Sequence, residues 1–303
     1  MNAEGHESVP FFSVVIPTHE SRDYVLGAIA SVQAQTDRDF EIVVIDNGST
    51  DGSDAAIRAI GDPRIVYRWQ EDSGLPADSR NKGVQAARGR WIAFLDADDS
   101  WTPAKLERIR EALEAAPGLD ALCHDVRIVD PDGRVLGARA YRLDERPISD
   151  QLFYRGNFLT TSAMVVRRSA ILEAGGFDTR REYFTVEDYD LWLRLAEAGC
   201  TFSIVEETLG DYLVHPSGAS QSLVRNYDNL MNVYDAHALA RGRSGSLDVR
   251  AALARRTRSR LAEVRDLARG GLLGASLRVL AHLPAERAGA RRRYRASADA
   301  ARA

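Results

Sequence analysis

The sequence has few cysteines and no long apolar run. Of its 303 residues only Cys123 and Cys200 are cysteines, and they stand far apart. Two isolated thiols give neither a metal-ligand spacing nor a disulfide framework, and are typical of small buried side chains. No stretch approaches the roughly eighteen apolar residues of a membrane-spanning helix. The first ten residues lack the basic and apolar stretches of a signal peptide, so we expect a cytoplasmic protein.

Two nucleotide-binding fingerprints are also missing. Neither G-x-G-x-x-G nor G-x-x-x-x-G-K-[ST] follows the first predicted strand. A dehydrogenase and a P-loop kinase therefore lose their main support. A net charge of -4 also gives no general attraction to nucleic acid, and none is expected as a partner.

The pattern that is present is an alternation of strands and helices, which favours a parallel sheet with right-handed crossovers. In the first half we predict strands at 11–16, 41–45, 64–69 and 91–95, and helices at 23–35, 54–60, 77–87 and 103–115. The second half is less regular. It contains predicted strands at 119–129, 134–136, 161–166, 201–205 and 208–214, helices at 169–174 and 187–198, and helical segments beyond 226.

The fourth strand ends abruptly in three carboxylates, Asp96, Asp98 and Asp99. Ionising all three beside a buried sheet is costly unless a cation or donor groups face them. Carboxylates with room for phosphate oxygens and water suit Mg²⁺ or Mn²⁺. The alternative is helix capping, but Thr102 already takes the expected cap position before Pro103. We therefore predict a metal or ligand role for Asp96 and Asp98.

Four motifs in order resemble family-2 glycosyltransferases. They are Val14-Val15-Ile16-Pro17-Thr18, Val44-Ile45-Asp46-Asn47-Gly48-Ser49-Thr50-Asp51, Gly74 with Ser79-Arg80-Asn81-Lys82-Gly83, and Phe94-Leu95-Asp96-Ala97-Asp98-Asp99. The resemblance covers roughly residues 11–220. It implies a GT-A fold, an open and mostly parallel α/β sheet flanked by helices. Residues 1–225 would form that domain, with a nucleotide-sugar-binding half at 11–130 and an acceptor half at 131–225. Residues 226–303 would be a helical, Arg-rich extension.

The resemblance also implies the reaction and its site. Such enzymes use a divalent metal, Mn²⁺ or Mg²⁺, and move a sugar with inversion from a nucleotide diphosphate, here most simply UDP, to a hydroxyl of a saccharide, lipid-linked or small-molecule acceptor. Asp188 would be the general base, and Asp98 and His215 would approach the metal. The donor would be bound by Pro17, Thr18, Glu20, Asp46, Arg80, Asp96, Ala97 and Asp98, with Asp46 accepting from the uracil N3-H.

Several of these residues have ordinary structural interpretations as well. Asp46 lies in a turn-rich loop, Arg80 suits a solvated helix face, and an isolated histidine such as His215 is often structural. Glu187 and Asp188 would be favoured in the first turn of a helix by its macrodipole alone. Two other functions also compete, a nucleotidyltransferase and a catalytically silent nucleotide-sugar-binding module. The first would need a glycine-rich basic loop after the first strand, and the second would lack Asp98 or Asp188.

The C-terminal tail differs from the rest in charge. Residues 241–303 contain sixteen arginines and five acids, about +11, which leaves about -15 for residues 1–240. A basic amphipathic tail predicts peripheral contact with an anionic inner membrane face. A solvated helical extension or an oligomer contact is the alternative, and the spread of the arginines around the helix favours it.

Overall fold

The computed structural model describes residues 9–215 and 223–301, and in that part nine strands form one sheet. Residues 1–8, which carry most of the expectation about a leader segment, lie outside it. The strands are β1 Phe12–Thr18, β2 Phe40–Asn47, β3 Ile65–Gln70, β4 Trp91–Phe94, β5 Ser100–Trp101, β6 Ala121–Val129, β7 Val135–Arg139, β8 Val165–Arg167 and β9 Phe202–Leu213. Their order is β3-β2-β1-β4-β8-β6-β9-β5, with β7 on β6.

The helices alternate with the strands in the first half and accumulate at the C-terminus. They are α1 Arg22–Gln33, α2 Ser53–Ala59, α3 Pro76–Ala86, α4 Lys105–Ala115, α5 Ile148–Arg155, α6 Arg168–Glu173, α7 Glu187–Glu197, α8 Leu223–Arg243, α9 Val249–Arg269 and α10 Leu273–Ala300. Short 3₁₀ turns occupy Thr161–Ala163 and Arg181–Tyr183. None of the helices in the described ranges is both long and apolar enough to cross a bilayer.

The first four strands of the chain are parallel, as predicted, and β1 in the middle of them is covered on both faces. β1 pairs in parallel with β2 and β4, and β2 pairs in parallel with β3. Phe12 and Val14 of β1 pack in one hydrophobic cluster, whereas Val15, on the opposite face, packs in the other. This alternation follows from the two-residue period of a strand, and it explains why β1 reads as a continuous apolar run.

The second half of the sheet is mixed, and here some predictions were wrong. The strands expected at 201–205 and 208–214 are one strand, β9, whose pairing with β6 shifts register near Asp125. The expected strand at 161–166 begins instead as a 3₁₀ turn and becomes β8 only at Val165. Helix α5 had no counterpart in the predicted elements.

Thr102 is not the cap of α4, which begins at Lys105 after Ala104. The backbone N-H of Thr102 donates to Leu209 of β9 at 3.0 Å, because the preceding residues form strand β5 on β9. Sheet pairing thus replaces the helix cap. The acidic stretch is consequently anchored from both sides, by β4 before it and by β5 after it.

The C-terminal helices share the hydrophobic core of the sheet domain. Tyr234 of α8, Ala252 of α9 and Tyr294 of α10 belong to the same buried cluster as Trp192 of α7 and Val15 of β1. The aromatic rings of Tyr234 and Phe153 stack with centroids 4.6 Å apart. The Arg-rich extension therefore packs against the sheet domain through apolar side chains, and many of its arginines lie on its outer surface.

Candidate active site

The carboxyl ends of β1 and β4 open into a cavity of about 910 Å³. The loop after β4, the first turns of α3 and α7 and the end of β9 complete its walls. In an open α/β sheet this edge is where ligands bind. The cavity brings together nine of the ten residues singled out from the sequence, namely Pro17, Thr18, Glu20, Arg80, Asp96, Ala97, Asp98, Asp188 and His215.

Asp46, the tenth, does not line the cavity. Its side chain is fully buried, and both carboxylate oxygens have partners inside the protein. Oδ2 accepts from the Tyr67 hydroxyl at 2.7 Å, and Oδ1 accepts from the backbone N-H of Ser49 at 2.9 Å. Its neighbour Asn47 reaches the cavity instead and donates to Asp72 at 2.7 Å. Each oxygen could accept a further hydrogen bond, but the enclosed side chain would meet a base only after a rearrangement of the residues around it.

Arg80 joins the loop after β4 to α7. Its side chain is buried and donates to Asp96 Oδ1 at 2.7 Å and to Glu187 Oε1 at 2.6 Å. Burial opposes the charge of Arg80, but the carboxylates of Asp96 and Glu187 outweigh it, and the pKa of Arg80 is raised. The solvated-helix interpretation of Arg80 is therefore wrong. The guanidinium joins Asp96 in the loop after β4 to Glu187, the first residue of α7, although the two acids are 91 residues apart in sequence.

The acidic loop divides its three carboxylates between different partners. Asp98 Oδ2 lies 2.9 Å from Nε2 of His215, and Asp99 Oδ1 accepts from the backbone N-H of Leu213 at 2.9 Å. Burial and the neighbouring charge of Asp96 raise the pKa of Asp98. Burial also raises the pKa of Asp99, together with the charges of Asp98 and Asp96. The loop is thus short of positive charge for three ionised carboxylates.

A divalent cation suits this shortage, although the protein supplies only part of a coordination shell. Among the described residues, no group of three or more His, Cys, Asp or Glu side chains is placed to hold a metal. The neighbouring donor atoms of Asp98 and His215 give one oxygen and one nitrogen ligand. Mg²⁺ and related ions in phosphate-handling sites commonly use one or two protein ligands and complete their shell with phosphate oxygens and water. The donor set therefore fits a cation that binds together with a diphosphate.

Asp188 stands at the start of α7 and faces the same cavity. Its Oδ2 accepts from the Thr161 hydroxyl at 2.9 Å and from the Asn157 amide at 3.1 Å. Burial raises its pKa, and the charge of Arg80 opposes that shift. A raised pKa brings a carboxylate closer to the range in which it can accept a proton usefully near neutrality. Thr185, just before this turn, has a left-handed backbone with φ of 70°.

The residues that orient Asp188 were not among the predicted site residues. Asn157 follows Gly156, whose φ of 103° lies in a region that favours glycine, and Thr161 lies in the 3₁₀ turn. Thr161 was predicted only as the first residue of a strand, and Asn157 belonged to no predicted element. Arg139 and Tyr212 also line the cavity, with the guanidinium 4.7 Å from the ring centroid. The Gly156-Asn157 pair is the one sequence signal that could have marked the stretch from Gly156 to Thr161 as a functional loop.

The structure is an α/β fold with clustered carboxylates in a cavity at the carboxyl edge of its strands, and comparison with known proteins assigns the family. The model of glycosyl transferase family 2 matches residues 13–175, more than half of the chain. The chain therefore belongs to glycosyl transferase family 2. It is 31% identical over 216 residues to the uncharacterized glycosyltransferase MJ1057 of Methanocaldococcus jannaschii, covering 69% of this chain and 73% of that protein.

Other relatives are named for polysaccharide synthesis. The succinoglycan biosynthesis protein ExoO of Rhizobium meliloti is 38% identical over 136 residues, a match that spans 45% of this chain and 39% of ExoO. The putative teichuronic acid biosynthesis glycosyltransferase TuaG of Bacillus subtilis is 28% identical over 206 residues, 67% of this chain and 79% of that protein.

Solved structures support the fold at low identity. TarS 1–349 of S. aureus in complex with UDP-GlcNAc aligns with a TM-score of 0.65 and 17% identity, covering 96% of this chain and 91% of that one. The mannosyltransferase PcManGT of Pyrobaculum calidifontis, in complex with GDP-Man and Mn²⁺, aligns with a TM-score of 0.59 and 19% identity, covering 97% and 86%. The predicted GT-A-type fold and the predicted family are confirmed.

Proposed function

We propose that this protein is a metal-dependent inverting glycosyltransferase that moves a sugar from a nucleotide diphosphate, UDP in the first instance, to a hydroxyl acceptor. The observation that carries the proposal is the single cavity that holds Asp98, beside His215, and Asp188 on the first turn of α7. One carboxylate is suited to the diphosphate end of a donor and the other to an attacking hydroxyl. Relatives named for polysaccharide synthesis and neighbours bound to UDP-GlcNAc or GDP-Man point the same way.

The acceptor step would belong to Asp188. As the acceptor oxygen attacks the anomeric carbon, its proton passes to Asp188, the bond to the diphosphate breaks, and the electron pair leaves with the diphosphate. Attack opposite the leaving group inverts the anomeric centre without a covalent enzyme intermediate. Thr161 and Asn157 both donate to Oδ2, which keeps the carboxylate oriented toward the cavity.

The donor would lie along the other wall. Pro17, Thr18 and Glu20 border the end where the base would sit, and Asp96 and Ala97 border the place of the ribose. Asp46 is buried behind the cavity wall, so we propose Asn47 and Asp72, which line the cavity, as additional candidates for polar contact with the base. The acceptor would enter past Tyr212 and Arg139.

Asp98 and His215 would hold the Mn²⁺ or Mg²⁺ ion, whose charge would offset the negative charge that grows on the departing diphosphate. Calorimetric titration with UDP tests this assignment. Native protein should bind UDP with Mn²⁺ and lose most of that affinity in EDTA, and Asp98→Ala should bind UDP equally weakly in both. Asp178→Ala, outside the cavity lining, serves as the control. Equal UDP affinity of the native protein with Mn²⁺ and with EDTA contradicts the metal assignment.

A panel of nucleotide sugars incubated with Mn²⁺ identifies the donor, because many transferases hydrolyse their donor slowly when no acceptor is present. Release of nucleotide from one sugar in the panel supports transfer chemistry. Tight binding without turnover, also with saccharide acceptors present, would instead support a silent binding module.

For the extension we propose peripheral membrane contact at the corner between α9 and α10, on the cytoplasmic face. Leu273 and Leu277 are 63% and 65% exposed there, and Arg269 and Arg278 stand beside them on the surface. Leucines beside arginines suit an anionic lipid surface. Residues 226–303 would then differ from the rest of the chain in function but not form a separate folding unit, since α8, α9 and α10 share a hydrophobic core with α7.

Sedimentation with anionic vesicles tests this contact. The native protein should sediment in part, and Leu273→Ser with Leu277→Ser should lower the affinity for vesicles by about 30-fold or more, since each partly buried leucine contributes about 1 to 2 kcal/mol. Leu172→Ser, on α6, is the matched control, because Leu172 is also exposed, at 44%. Native protein that stays in the supernatant, or a control that weakens sedimentation equally, would leave the extension without a membrane role.

A further inference from the structure

A second cavity, of about 520 Å³, lies where α5 meets α8 and α9. Three of its lining residues are arginines and two are tyrosines, and the full lining comprises Tyr154, Arg155, Tyr227, Leu230, Arg255, Arg258, Ser259 and Ala262. It shares no lining residue with the cavity described above.

Two arginines of this cavity, Arg255 and Arg258, lack the carboxylate partners that other arginines of α9 have. Arg256 pairs with Asp235 at 3.1 Å, and Arg260 pairs with Glu263 at 2.6 Å. Within the described ranges neither Arg255 nor Arg258 has a carboxylate oxygen within 4.0 Å, although Arg258 donates to the Tyr154 carbonyl at 3.5 Å. Arg155 lies 3.7 Å from Asp144 and donates to Gln151 Oε1 at 3.1 Å. Arg255 and Arg258 therefore bring positive charge to the cavity that no carboxylate among the described residues pairs with.

Two buried polar atoms at this cavity also have no hydrogen-bond partner, Arg255 Nε and Ser259 Oγ. Ser259 is only 4% exposed. A buried donor left unpaired costs about 1 to 3 kcal/mol, and such atoms in a native fold call for an explanation. Both atoms are themselves buried, so an anion in the cavity would be bound first by the terminal guanidinium nitrogens and would accept from these two atoms only after a side-chain rotation. Arginine suits this task because its planar fork can donate two parallel hydrogen bonds to phosphate or carboxylate.

The cavity is linked to the candidate base by a short piece of chain. The Gly156 backbone lies against Arg255, so a Cβ added at Gly156 would meet Arg255 Nη2 at 2.3 Å. The next residue, Asn157, lines the first cavity and donates to Asp188. Arg155 and Asn157 are two residues apart, and their Cα atoms are therefore at most about 7 Å apart. A molecule long enough to pass this segment would touch both sites.

We propose that this second cavity, which we call the arginine pocket, binds an anionic substituent of the acceptor, a phosphate or carboxylate on a saccharide whose hydroxyl lies at Asp188. This inference rests on the proposed function, since it names the class of acceptor. The arginines supply the charge, and Leu230 and Ala262 supply apolar wall against the sugar carbons. An acceptor of this class would be an acidic or phosphate-bearing glycan.

Calorimetric titration in EDTA tests the arginine pocket without donor or metal. The probes are inorganic phosphate and D-glucuronate, which distinguish a phosphate from a carboxylate ligand, with D-glucose as the neutral comparison. At least one anion should bind saturably to the native protein. Arg258→Gln and Arg155→Gln should each weaken that binding by about tenfold, as expected for one charge-assisted hydrogen bond. Arg291→Gln, which removes the same charge from an exposed site on α10, should bind as the native protein does.

Arg255→Gln should weaken anion binding most. Because Arg255 packs against Gly156, this variant could fail to fold, and in that case Arg258→Gln and Arg155→Gln test the proposal. The proposal is overturned if neither anion binds saturably, if glucose binds as well, or if Arg291→Gln weakens binding as much as Arg258→Gln. UDP binding with Mn²⁺ is measured on the same samples. If Arg258→Gln loses anion binding but keeps its UDP affinity, the anion site is the arginine pocket. If the native protein binds anions but not UDP, the proposed function is contradicted, and the acceptor assignment with it.

Discussion

Two buried arginines in this protein have similar partners and different surroundings. Arg80 in α3 donates to Asp96 and Glu187, and Arg260 in α9 donates to Glu263 and Glu286. Both are at most 8% exposed. By sequence, each is an arginine on a polar stretch of a predicted helix, and apart from the family motif that contains Arg80 nothing in the local pattern separates them.

The difference lies in what surrounds each pair. Around Arg80, polar atoms remain without partners, among them its own Nε, Glu187 Oε2 and Asp99 Oδ2, and the cluster borders the larger cavity. The Arg260 guanidinium, in contrast, pairs with three carboxylates, including Asp228 at 2.9 Å. A fully satisfied cluster fixes helices together, whereas an incomplete one beside a cavity is poised for a ligand.

The sharpest test of this contrast is Asp188→Asn, one residue beyond Glu187. It keeps the size of the side chain and removes the proton acceptor, so transfer should fall by about 10² to 10⁴ while UDP binding with Mn²⁺ stays near native. Initial rates of transfer under donor saturation, together with calorimetry, measure the two effects. Glu182→Gln, an exposed acid near the same turn, should change neither. A rate for Asp188→Asn within about threefold of native would exclude Asp188 as the base.

The second test compares the two arginines directly. Arg80→Met and Arg260→Met should each lower the free energy of unfolding by about 3 kcal/mol, because each leaves one buried carboxylate, Glu187 or Glu263, without its arginine. Chemical denaturation measures that loss. Only Arg80→Met should also lower the transfer rate and the UDP affinity of the molecules that remain folded. Equal loss of activity in Arg260→Met would mean that the extension takes part in the site, and native activity in Arg80→Met would reduce the Arg80 cluster to a structural one.

The sequence was most informative where local pattern and fold agree. The parallel strands of the first half were predicted to within one or two residues, because their apolar runs end at turn residues or carboxylates that point to one sheet edge. Nine of ten candidate site residues meet at that edge for the same reason. Asp46 shows the limit. Its burial depends on Tyr67, a residue of the neighbouring strand whose hydroxyl could not be placed from sequence.

Long-range pairing explains the other failures. Thr102 was expected to cap α4, but the short strand β5 is defined by its partner β9 more than 100 residues later. Arg256 and Arg260 look like the solvated face of a basic helix until α8 and α10 bring Asp235 and Glu286 against them. The arginine pocket is likewise visible only once α5 is placed against α9.

The smallest expected effect concerns the contact between α7 and α8, which joins the two regions. His237 of α8 lies 3.1 Å from Asp190 and 2.9 Å from Glu197, both on α7. Arg194 and Arg241 bond to the same two carboxylates. Burial lowers the pKa of His237, but the hydrogen bonds to Asp190 and Glu197 outweigh it, and its pKa is raised.

Because the folded state holds this proton more tightly than the unfolded state does, protonated His237 stabilises the fold below its ordinary pKa of about 6.5. That contribution is lost as the pH rises through the raised pKa. The difference in thermal stability between the native protein and His237→Gln should therefore be largest near pH 6 and shrink toward pH 9, which melting curves across that range would measure. Asp188 is only two residues from Asp190 in sequence. If the contact of His237 with α7 is purely structural, deprotonation of His237 should still leave the transfer rate of the folded native protein unchanged. A difference in stability that grows with pH would mean that His237 is neutral in the fold and that α7 is held to the extension mainly by Arg241.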